Sequence, residues 1–249
     1  MYDLVVIGSG PGGHAAALGA ARLGAKTLVI EKDKWGGTCT NRGCIPTKAL
    51  LACSRQYAGL AGLKRLGIAA EGSFDFSAMK RHQAQMVRTA SLGTEKSLKD
   101  AGVELRQGEA HLASPGEVEL ASGTNREIVR TKNIVIAWGA TSQVPEFITL
   151  FQRVMTSDGF LGLTSLPASA IIIGGGVIGL EFAAFLSQLG AKVTVIEFLD
   201  RILATEETEV SAFLSRELAK SGMDILCSAC VESVSPGRDS VVVKVVRSG

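Results

Sequence analysis

The chain has no marked excess of charge of either sign, no long hydrophobic run and no segment typical of export. Its 249 residues hold 26 Lys and Arg against 24 Asp and Glu, a net charge of +2 at pH 7. This balance gives no support for a nucleic-acid or acidic-membrane partner. No run of about 18 apolar residues is present, so no membrane span is expected. A strand-like run follows Met1 directly, which leaves no room for a signal peptide and predicts a cytoplasmic protein.

Cysteine is scarce, and two of the five cysteines stand in an unusual spacing. An odd number in a chain of this size does not describe a secreted disulfide scaffold. Cys39 and Cys44 lie five residues apart in GGTCTNRGCIPTKALL, residues 36–51. This spacing fits neither the common zinc motifs nor the Cys-x-x-Cys of thioredoxin-like proteins, so we predict no metal site.

The residues around this pair favour redox activity over a structural role. In a regular helix, residues five apart are roughly 8.6 Å apart at Cα. A disulfide does not easily bridge more than about 7 Å, so pairing requires an irregular backbone and a bond that is easily reduced. Pro46 fits the first turn of a helix, which places Cys44 at a helix N-terminus, where a thiolate is favoured. Lys48 adds a positive charge one turn later.

A dinucleotide-binding pattern precedes the cysteines. The apolar run 4–7 leads into Gly8-Ser9-Gly10-Pro11-Gly12-Gly13, an Ala-rich helical segment follows, and the apolar run 27–30 ends at Glu31. Strand, glycine turn, helix, strand and acid together make a G-x-G-x-x-G match significant. The glycines permit a tight turn and close approach to a pyrophosphate, and Glu31 is placed to accept hydrogen bonds from ribose hydroxyls.

The same unit recurs later in the chain. The run 170–173 is followed by Gly174-Gly175-Gly176-Val177-Ile178-Gly179, a helix to residue 189, a second strand at 193–196, and Glu197. The first glycine and the acid are 23 residues apart in both copies, since 31 − 8 and 197 − 174 are equal. Two copies with one spacing predict two dinucleotide sites. The alternative is that both are simple glycine turns of an α/β sheet.

With both patterns in place, GGTC-x-N-x-GC-x-PTK-x-LL resembles the active-site segment of the flavoprotein disulfide reductases (class I pyridine nucleotide-disulfide oxidoreductases), closest to the dihydrolipoamide dehydrogenases. The resemblance implies an α/β fold with two Rossmann-like domains, an FAD-binding domain over 1–148 and an NAD-binding domain over 149–249. Both are expected to be incomplete at the C-terminal end, because complete members are about twice this length. The C-terminal domain with its acid/base dyad is expected to be missing.

The resemblance also assigns roles to residues. Cys39 would exchange disulfides with a small dithiol, and Cys44, nearer the flavin, would pass electrons onward through FAD to NAD. Lys48 would lie near the flavin and pair with Glu181, linking the two domains. Glu197 would repel the 2′-phosphate of NADP and so favours NAD. The full set of expected cofactor-binding residues is Gly8, Gly10, Pro11, Gly13, Glu31, Gly37, Thr38, Lys48, Ala110, Gly139, Gly174, Gly176, Val177, Ile178, Gly179, Glu197 and Val231.

The expected function is dihydrolipoamide oxidation, with the dithiol free or on a carrier domain of a 2-oxo acid dehydrogenase or glycine cleavage complex, and with a homodimer as the complete protein. The alternatives are a non-catalytic, truncated FAD- and NAD-binding fragment, or a related mercuric, mycothiol-disulfide or glutathione-type reductase. Trp138 departs from the family, which usually has threonine there. Cys227 and Cys230 form a Cys-x-x-Cys that we interpret as core, and Cys53 as buried packing.

Overall fold

The computed structural model describes residues 1–247, which form two compact units. The first contains Met1–Pro46 and Gln83–Thr141, and the second contains Thr47–His82 and the chain from Ser142 onward. The predicted boundary between residues 148 and 149 stays a prediction. The mixed α/β class predicted from the sequence is confirmed. Among the described residues, no helix combines the length and the apolar character needed to cross a membrane.

The first part of the chain alternates strands and helices and then forms a meander. In chain order its elements are β1 (Tyr2–Ile7), α1 (Pro11–Arg22), β2 (Thr27–Glu31), α2 (Gly37–Arg42), α3 (Cys44–Leu63), a 3-10 turn (Lys64–Leu66), α4 (Phe76–Asp100), β3 (Glu104–Gln107), β4 (Glu109–Ser114), β5 (Glu117–Ser122) and β6 (Asn125–Ile136). The order across the sheet is β3-β2-β1-β6-β5-β4, parallel from β3 to β6 and antiparallel beyond it.

Both faces of the parallel part are covered, which explains why β1 and β2 are continuous apolar runs rather than alternating ones. Val5 and Leu28 belong to one buried cluster, and Val6 and Val29 belong to a second cluster that includes Ala17 of α1. From β1 the chain continues to β2 and then β3 on one side of β1. β6, β5 and β4 lie on its other side, so the strand order reverses between β1 and β6. Ligands of open α/β sheets bind outside the carboxyl ends of strands at such a point.

Two features of the strands depend on contacts between distant segments. The chain is divided into β3 and β4 at Gly108, whose φ is 157°. A Cβ on Gly108 would lie 2.6 Å from the carbonyl oxygen of Ala121, which excludes a side chain there. Residues 125–136 form one long strand, β6. β6 pairs antiparallel with β5 through its first half and parallel with β1 through its second half.

The second unit has its own parallel sheet. Its later elements are α5 (Ser157–Leu161), β7 (Ser169–Ile173), α6 (Val177–Gln188), β8 (Lys192–Ile196), α7 (Thr208–Lys220), β9 (Asp224–Leu226), β10 (Ala229–Pro236) and β11 (Val241–Arg247). The sheet order is β7-β8-β9, and β10 and β11 form a separate hairpin. The strand, helix and strand predicted for the second glycine unit are confirmed.

The core of this unit is aromatic and aliphatic. Phe160 stacks on Phe182 at 3.9 Å between ring centroids, and Phe185 meets Phe160 edge-on. Leu50 and Leu51 of α3 are buried in the same cluster. The segment that follows the two cysteines is therefore anchored in the second unit by apolar burial, the main stabilising term in a protein core.

Candidate functional site

The first glycine turn connects β1 to α1 with almost no free space on its inner side. Gly8 has φ of 99°, and a Cβ there would lie 2.3 Å from the carbonyl oxygen of Ala137. A Cβ on Gly13 would lie 1.9 Å from the carbonyl oxygen of Gly8. By contrast, nothing lies within 4 Å of a Cβ position on Gly12. The turn is closed toward the sheet and open at the N-terminus of α1, where backbone N–H groups favour an anion.

The Glu31 carboxylate is held at the end of β2 by three donors. Ser9 donates its backbone N–H at 2.9 Å and its hydroxyl at 2.6 Å to Oε2, and the Asp33 N–H donates to Oε1 at 2.9 Å. Glu31 is only 6% exposed, so these bonds fix its orientation. A carboxylate accepts about four hydrogen bonds, so one acceptor position stays open for a ligand hydroxyl.

The predicted redox segment begins against this turn. Ser9 Oγ accepts a hydrogen bond from the Gly36 N–H at 3.0 Å. Gly37 has φ of 61°, and a Cβ there would lie 2.7 Å from the Cα of Gly10. Only glycine permits this approach of two backbones. α2, which carries Thr38 and Cys39, therefore starts directly beside the first glycine turn.

A break between two helices separates the two cysteines. Cys39 is half-buried in α2, Cys44 is the exposed first residue of α3, and Gly43 lies between the helices. A Cβ on Gly43 would lie 3.3 Å from the Cα of Cys39 and 3.1 Å from the Thr38 carbonyl oxygen, so the chain folds back on itself here. The predicted irregular backbone and the predicted helix N-terminus at Cys44 are confirmed. The redox pairing of the two thiols stays a prediction.

Asn41 stabilises the turn before α2 and was missed by the sequence reasoning. Its side-chain N–H₂ donates to the carbonyl oxygens of Lys34, Trp35 and Gly37, at 3.4, 3.1 and 2.9 Å. An asparagine inside a glycine-bounded segment signals such side-chain to backbone bonding. Ser9 was missed in the same way, because a serine between two glycines is typical of an ordinary turn.

Lys48 and Glu181 form the predicted ion pair. Lys48 Nζ lies 2.7 Å from Oε1 and 2.8 Å from Oε2 of Glu181. The two side chains are 57% and 24% exposed, so the pair contributes little to stability. Both residues belong to the second unit, where α3 and α6 are also joined by the Ser54 hydroxyl, which donates to Gln188 at 2.6 Å.

The second glycine turn repeats the geometry of the first. Gly174 has φ of 107°, and a Cβ on Gly179 would lie 2.2 Å from the Gly174 carbonyl oxygen. The Glu197 carboxylate accepts from the Gly175 N–H at 2.6 Å and from the Leu199 N–H at 2.8 Å. These donors stand where Ser9 and Asp33 stand relative to Glu31. The repetition extends from the spacing of the glycines to the hydrogen bonds of the acids.

The other expected cofactor-binding residues are spread over both units. Val177 and Ile178 are exposed at the first turn of α6, whereas Val231 is buried with Ile196 in the hairpin cluster and pairs with Val245 of β11. Ala110 is half-buried in β4, and Gly139 has φ of 77° after β6. Pro11 is the first residue of α1. Contact of any of these residues with a cofactor stays a prediction.

The other cysteines differ in environment. Burial raises the pKa of the Cys53 thiol, which agrees with its interpretation as packing. Burial also raises the pKa of the half-buried Cys227 thiol, and the Glu197 carboxylate adds to this shift. Cys230 is exposed, so the interpretation of both residues 227 and 230 as core was wrong for Cys230. Its side chain lies on the outer face of the β10–β11 hairpin, away from the cluster that buries Ala229 and Val231. No group of three or more His, Cys, Asp or Glu within residues 1–247 is arranged to hold a metal ion.

The sequence profile of the pyridine nucleotide-disulphide oxidoreductases matches residues 2–249. The chain belongs to this family. It is 36% identical over 98% of its length to a dihydrolipoyl dehydrogenase of Chlamydia pneumoniae, and 38% identical over its whole length to one of Chlorobaculum tepidum. It spans 53% and 54% of those two proteins, about half their length.

A solved structure agrees with this membership. The HOCl-induced flavoprotein disulfide reductase RclA from Escherichia coli matches 98% of this chain with a TM-score of 0.83 and 29% identity. The chain covers 53% of RclA. The predicted family is confirmed, and the glycine turns and cysteine segment described above lie within the matched residues.

Proposed function

We propose that this chain carries the dinucleotide-binding and disulfide-exchanging part of a dihydrolipoamide dehydrogenase that uses FAD and NAD. The observation that carries the proposal is the continuity of the first turn with the cysteine segment. The Ser9 hydroxyl donates a hydrogen bond to the Glu31 carboxylate, the expected ligand of the ribose, and accepts one from the N–H of Gly36, three residues before Cys39. A dinucleotide held by Glu31 would therefore lie beside the cysteines.

The residues present fit FAD at the first turn. The backbone at Gly12 is open at the N-terminus of α1, which suits a pyrophosphate. Glu31 retains one acceptor position for a ribose hydroxyl, and its three donors hold it in place before the ligand arrives. When bound, FAD would accept two electrons from a dithiol and pass them to a nicotinamide.

The cysteines would act by thiol–disulfide exchange. One thiolate of the substrate attacks the sulfur of Cys39 in a Cys39–Cys44 disulfide, forms a mixed disulfide and releases the Cys44 thiolate. The second substrate thiolate then attacks the substrate sulfur of the mixed disulfide and releases Cys39 as a thiolate. The substrate leaves as a cyclic disulfide, two electrons lie on the cysteine pair, and two protons pass to bases.

At the second turn the residues fit NAD better than NADP. Glu197 is fixed by two backbone donors, and its negative charge would repel a 2′-phosphate. Phe198 and Leu199 follow it without a positive charge.

The dithiol would be dihydrolipoamide, free or attached to a carrier domain of a 2-oxo acid dehydrogenase or glycine cleavage complex. A homodimer in the cytoplasm is part of the same proposal. Two relatives that share 36% and 38% identity bear the name dihydrolipoyl dehydrogenase, which supports this substrate over mercuric ions or the disulfides of mycothiol and glutathione. The second candidate is a protein that binds both dinucleotides without turnover, and the visible spectrum separates the two.

The test is the visible spectrum of the purified chain, recorded with FAD and then with dihydrolipoamide under anaerobic conditions. We expect bound flavin whose absorbance changes on addition of the dithiol, with NAD restoring the oxidised spectrum. Cys39→Ser and Cys44→Ser should each retain flavin and lose the response, because exchange needs both sulfurs. Cys53→Ser is the matched control and should respond like the parent chain.

Three results decide between the candidates. Flavin binding without any response to dihydrolipoamide would support the non-catalytic candidate. A response to mycothiol, glutathione or mercuric ions with NADPH, and none to dihydrolipoamide, would assign a related reductase. Absence of bound flavin would contradict the proposal.

A further inference from the structure

The helix that carries Cys39 is too short to hold its own shape. α2 has six residues, Gly37–Arg42, which is fewer than two turns. Isolated helices of fewer than about 12 residues are marginal in water, so contacts with other segments must hold α2 in place. When a Cys39–Cys44 disulfide opens, the sulfur–sulfur link between α2 and α3 is lost. The position of Cys39 in the dithiol form then depends on those contacts.

The Asn41 side chain connects α2 to the segment that precedes it. Its Nδ2 donates to the carbonyl oxygens of Trp35 and Gly37 at 3.1 and 2.9 Å, and to that of Lys34 at 3.4 Å. All three partners are acceptors, which fixes the amide with its nitrogen toward them. Asn41 Oδ1 is buried and accepts no hydrogen bond from the residues that the structure describes. The amide nitrogen therefore makes the contact that holds α2 to this segment.

The segment contacted by Asn41 is also held by another helix. Ser91 of α4 donates its hydroxyl to the Trp35 carbonyl oxygen at 2.7 Å, the same oxygen that accepts from Asn41. A second contact from α2 is the ion pair of Arg42 with Asp33 at 3.0 Å, but the two side chains are 50% and 46% exposed, and such pairs contribute little. Asn41 thus connects the short cysteine helix to a segment that α4 holds independently.

We infer that Asn41 is a positioning residue that sets the dithiol–disulfide equilibrium of Cys39 and Cys44. The inference rests on the proposed function, because it presumes that the two thiols pair. When they pair, one S–S bond forms, and two electrons and two protons pass to a disulfide reagent whose own S–S bond opens. If Asn41 already holds α2 in place, less conformational freedom is lost in this step, and the disulfide is favoured.

The size of the effect follows from the freedom that α2 would regain. Fixing the backbone of a single residue corresponds to roughly 5- to 30-fold in an equilibrium constant. We expect about tenfold for loss of the Asn41 amide, because the covalent chain and the exposed ion pair of Arg42 still limit the movement of α2.

The experiment equilibrates the full chain, with FAD bound, in mixtures of reduced and oxidised dithiothreitol without oxygen. Alkylation of the reduced thiols and mass spectrometry of the peptides that contain Cys39 and Cys44 give the fraction of disulfide. Asn41→Ala should lower the equilibrium constant for disulfide formation about tenfold, which is about 30 mV toward easier reduction. Asn41→Asp keeps the shape of the side chain and removes the donor, so it should lower the constant at least as much.

Ser91→Ala is the matched control. It removes a hydrogen bond to the same carbonyl oxygen of Trp35 but leaves α2 connected through Asn41. Its equilibrium constant should stay within about twofold of that of the parent chain. Because both substitutions remove a bond to one acceptor, a difference between their equilibrium constants reports the placement of α2 and not the general stability of the turn.

The outcomes separate this inference from the proposed function. Unchanged or raised constants in both Asn41 variants would refute the inference and leave the redox pair in place. An equal loss in Ser91→Ala would assign the effect to the whole turn and also refute it. Loss of native tryptophan fluorescence in both Asn41 variants would make Asn41 a folding residue and overturn the positioning role. If the parent chain forms no Cys39–Cys44 disulfide, the inference and the proposed exchange chemistry both fail.

Discussion

Replacing Ser9 by alanine should destabilise the first unit more than its small volume implies. Its hydroxyl is 0% exposed, donates to the Glu31 carboxylate at 2.6 Å and accepts from the Gly36 N–H at 3.0 Å. The substitution removes a hydrogen bond to a charged group, worth about 1.5–3 kcal/mol, and leaves the Gly36 N–H buried without its acceptor, at about 1–3 kcal/mol. Because the two terms overlap, we expect a loss of about 2–4 kcal/mol. That is a large share of the ~5–15 kcal/mol that stabilises a typical domain.

The assay is urea unfolding followed by tryptophan fluorescence. Both tryptophans of the chain, Trp35 and Trp138, lie in the first unit, so the signal reports that unit alone. Ser114→Ala is the matched control, because the Ser114 hydroxyl makes an exposed bond to Glu117 at 3.1 Å. The control should change the free energy of unfolding by less than about 0.5 kcal/mol.

The prediction has a second readout in ligand affinity. Without the hydroxyl, the Glu31 carboxylate keeps only the two backbone donors from Ser9 and Asp33. FAD should bind several-fold more weakly, because the Glu31 carboxylate would be less ordered in the free protein and binding would have to fix its orientation. A free energy of unfolding for Ser9→Ala equal to that of the Ser114 control, with unchanged FAD affinity, would refute the reasoning that this hydroxyl organises the turn.

Three further predictions use other contacts. Gly13→Ala should abolish measurable FAD binding, since its Cβ would lie 1.9 Å from a turn carbonyl oxygen, while Gly19→Ala, in the middle of α1 with open space around the new Cβ, should bind within about threefold. A hydrogen bond from Tyr2 lowers the pKa of Glu104, so the bond stabilises the fold above the unfolded pKa of about 4.5, and this stability is lost as the pH falls below that value. Glu104→Gln should reduce the change in the free energy of unfolding across this acid range by less than about 1 kcal/mol. An unchanged dependence of that free energy on pH would contradict the prediction. Glu181→Gln should change the free energy of unfolding in urea by less than about 1 kcal/mol, because the ion pair with Lys48 is largely exposed. The same variant should slow the reduction of flavin by NADH about tenfold in stopped-flow measurements. Equal rates would exclude a catalytic role for this carboxylate.

Local patterns were sufficient to predict the two glycine units. Each unit is contained in about 25 consecutive residues, and its strand, turn and helix depend on neighbours in the chain. The N-terminus of α3 was predictable for the same reason, because Pro46 acts only on its own turn. The resemblance of the cysteine segment to one family likewise needed no knowledge of distant contacts.

Long-range contacts decided what the sequence left open. Gly108, which follows β3, lies so close to the backbone of Ala121 that a Cβ would clash there, and no residue near Gly108 in the chain signals that approach. Ser9 joins Glu31 to Gly36 across 22 and 27 residues, so its role depends on where β2 ends relative to the turn. Cys230 is exposed because the hairpin turns one face outward, and the alternation of a strand does not show which face is covered.

The sequence by itself therefore determined the family, the α/β class, both glycine turns and the two acids, Glu31 and Glu197. Each of these depends on a short motif with fixed spacing between its residues. Only the tertiary structure decided that each acid is oriented by the backbone of its own turn and that the Ser9 hydroxyl joins Glu31 to Gly36. Those features depend on packing between segments far apart in the chain, and side-chain packing is a property of the whole core.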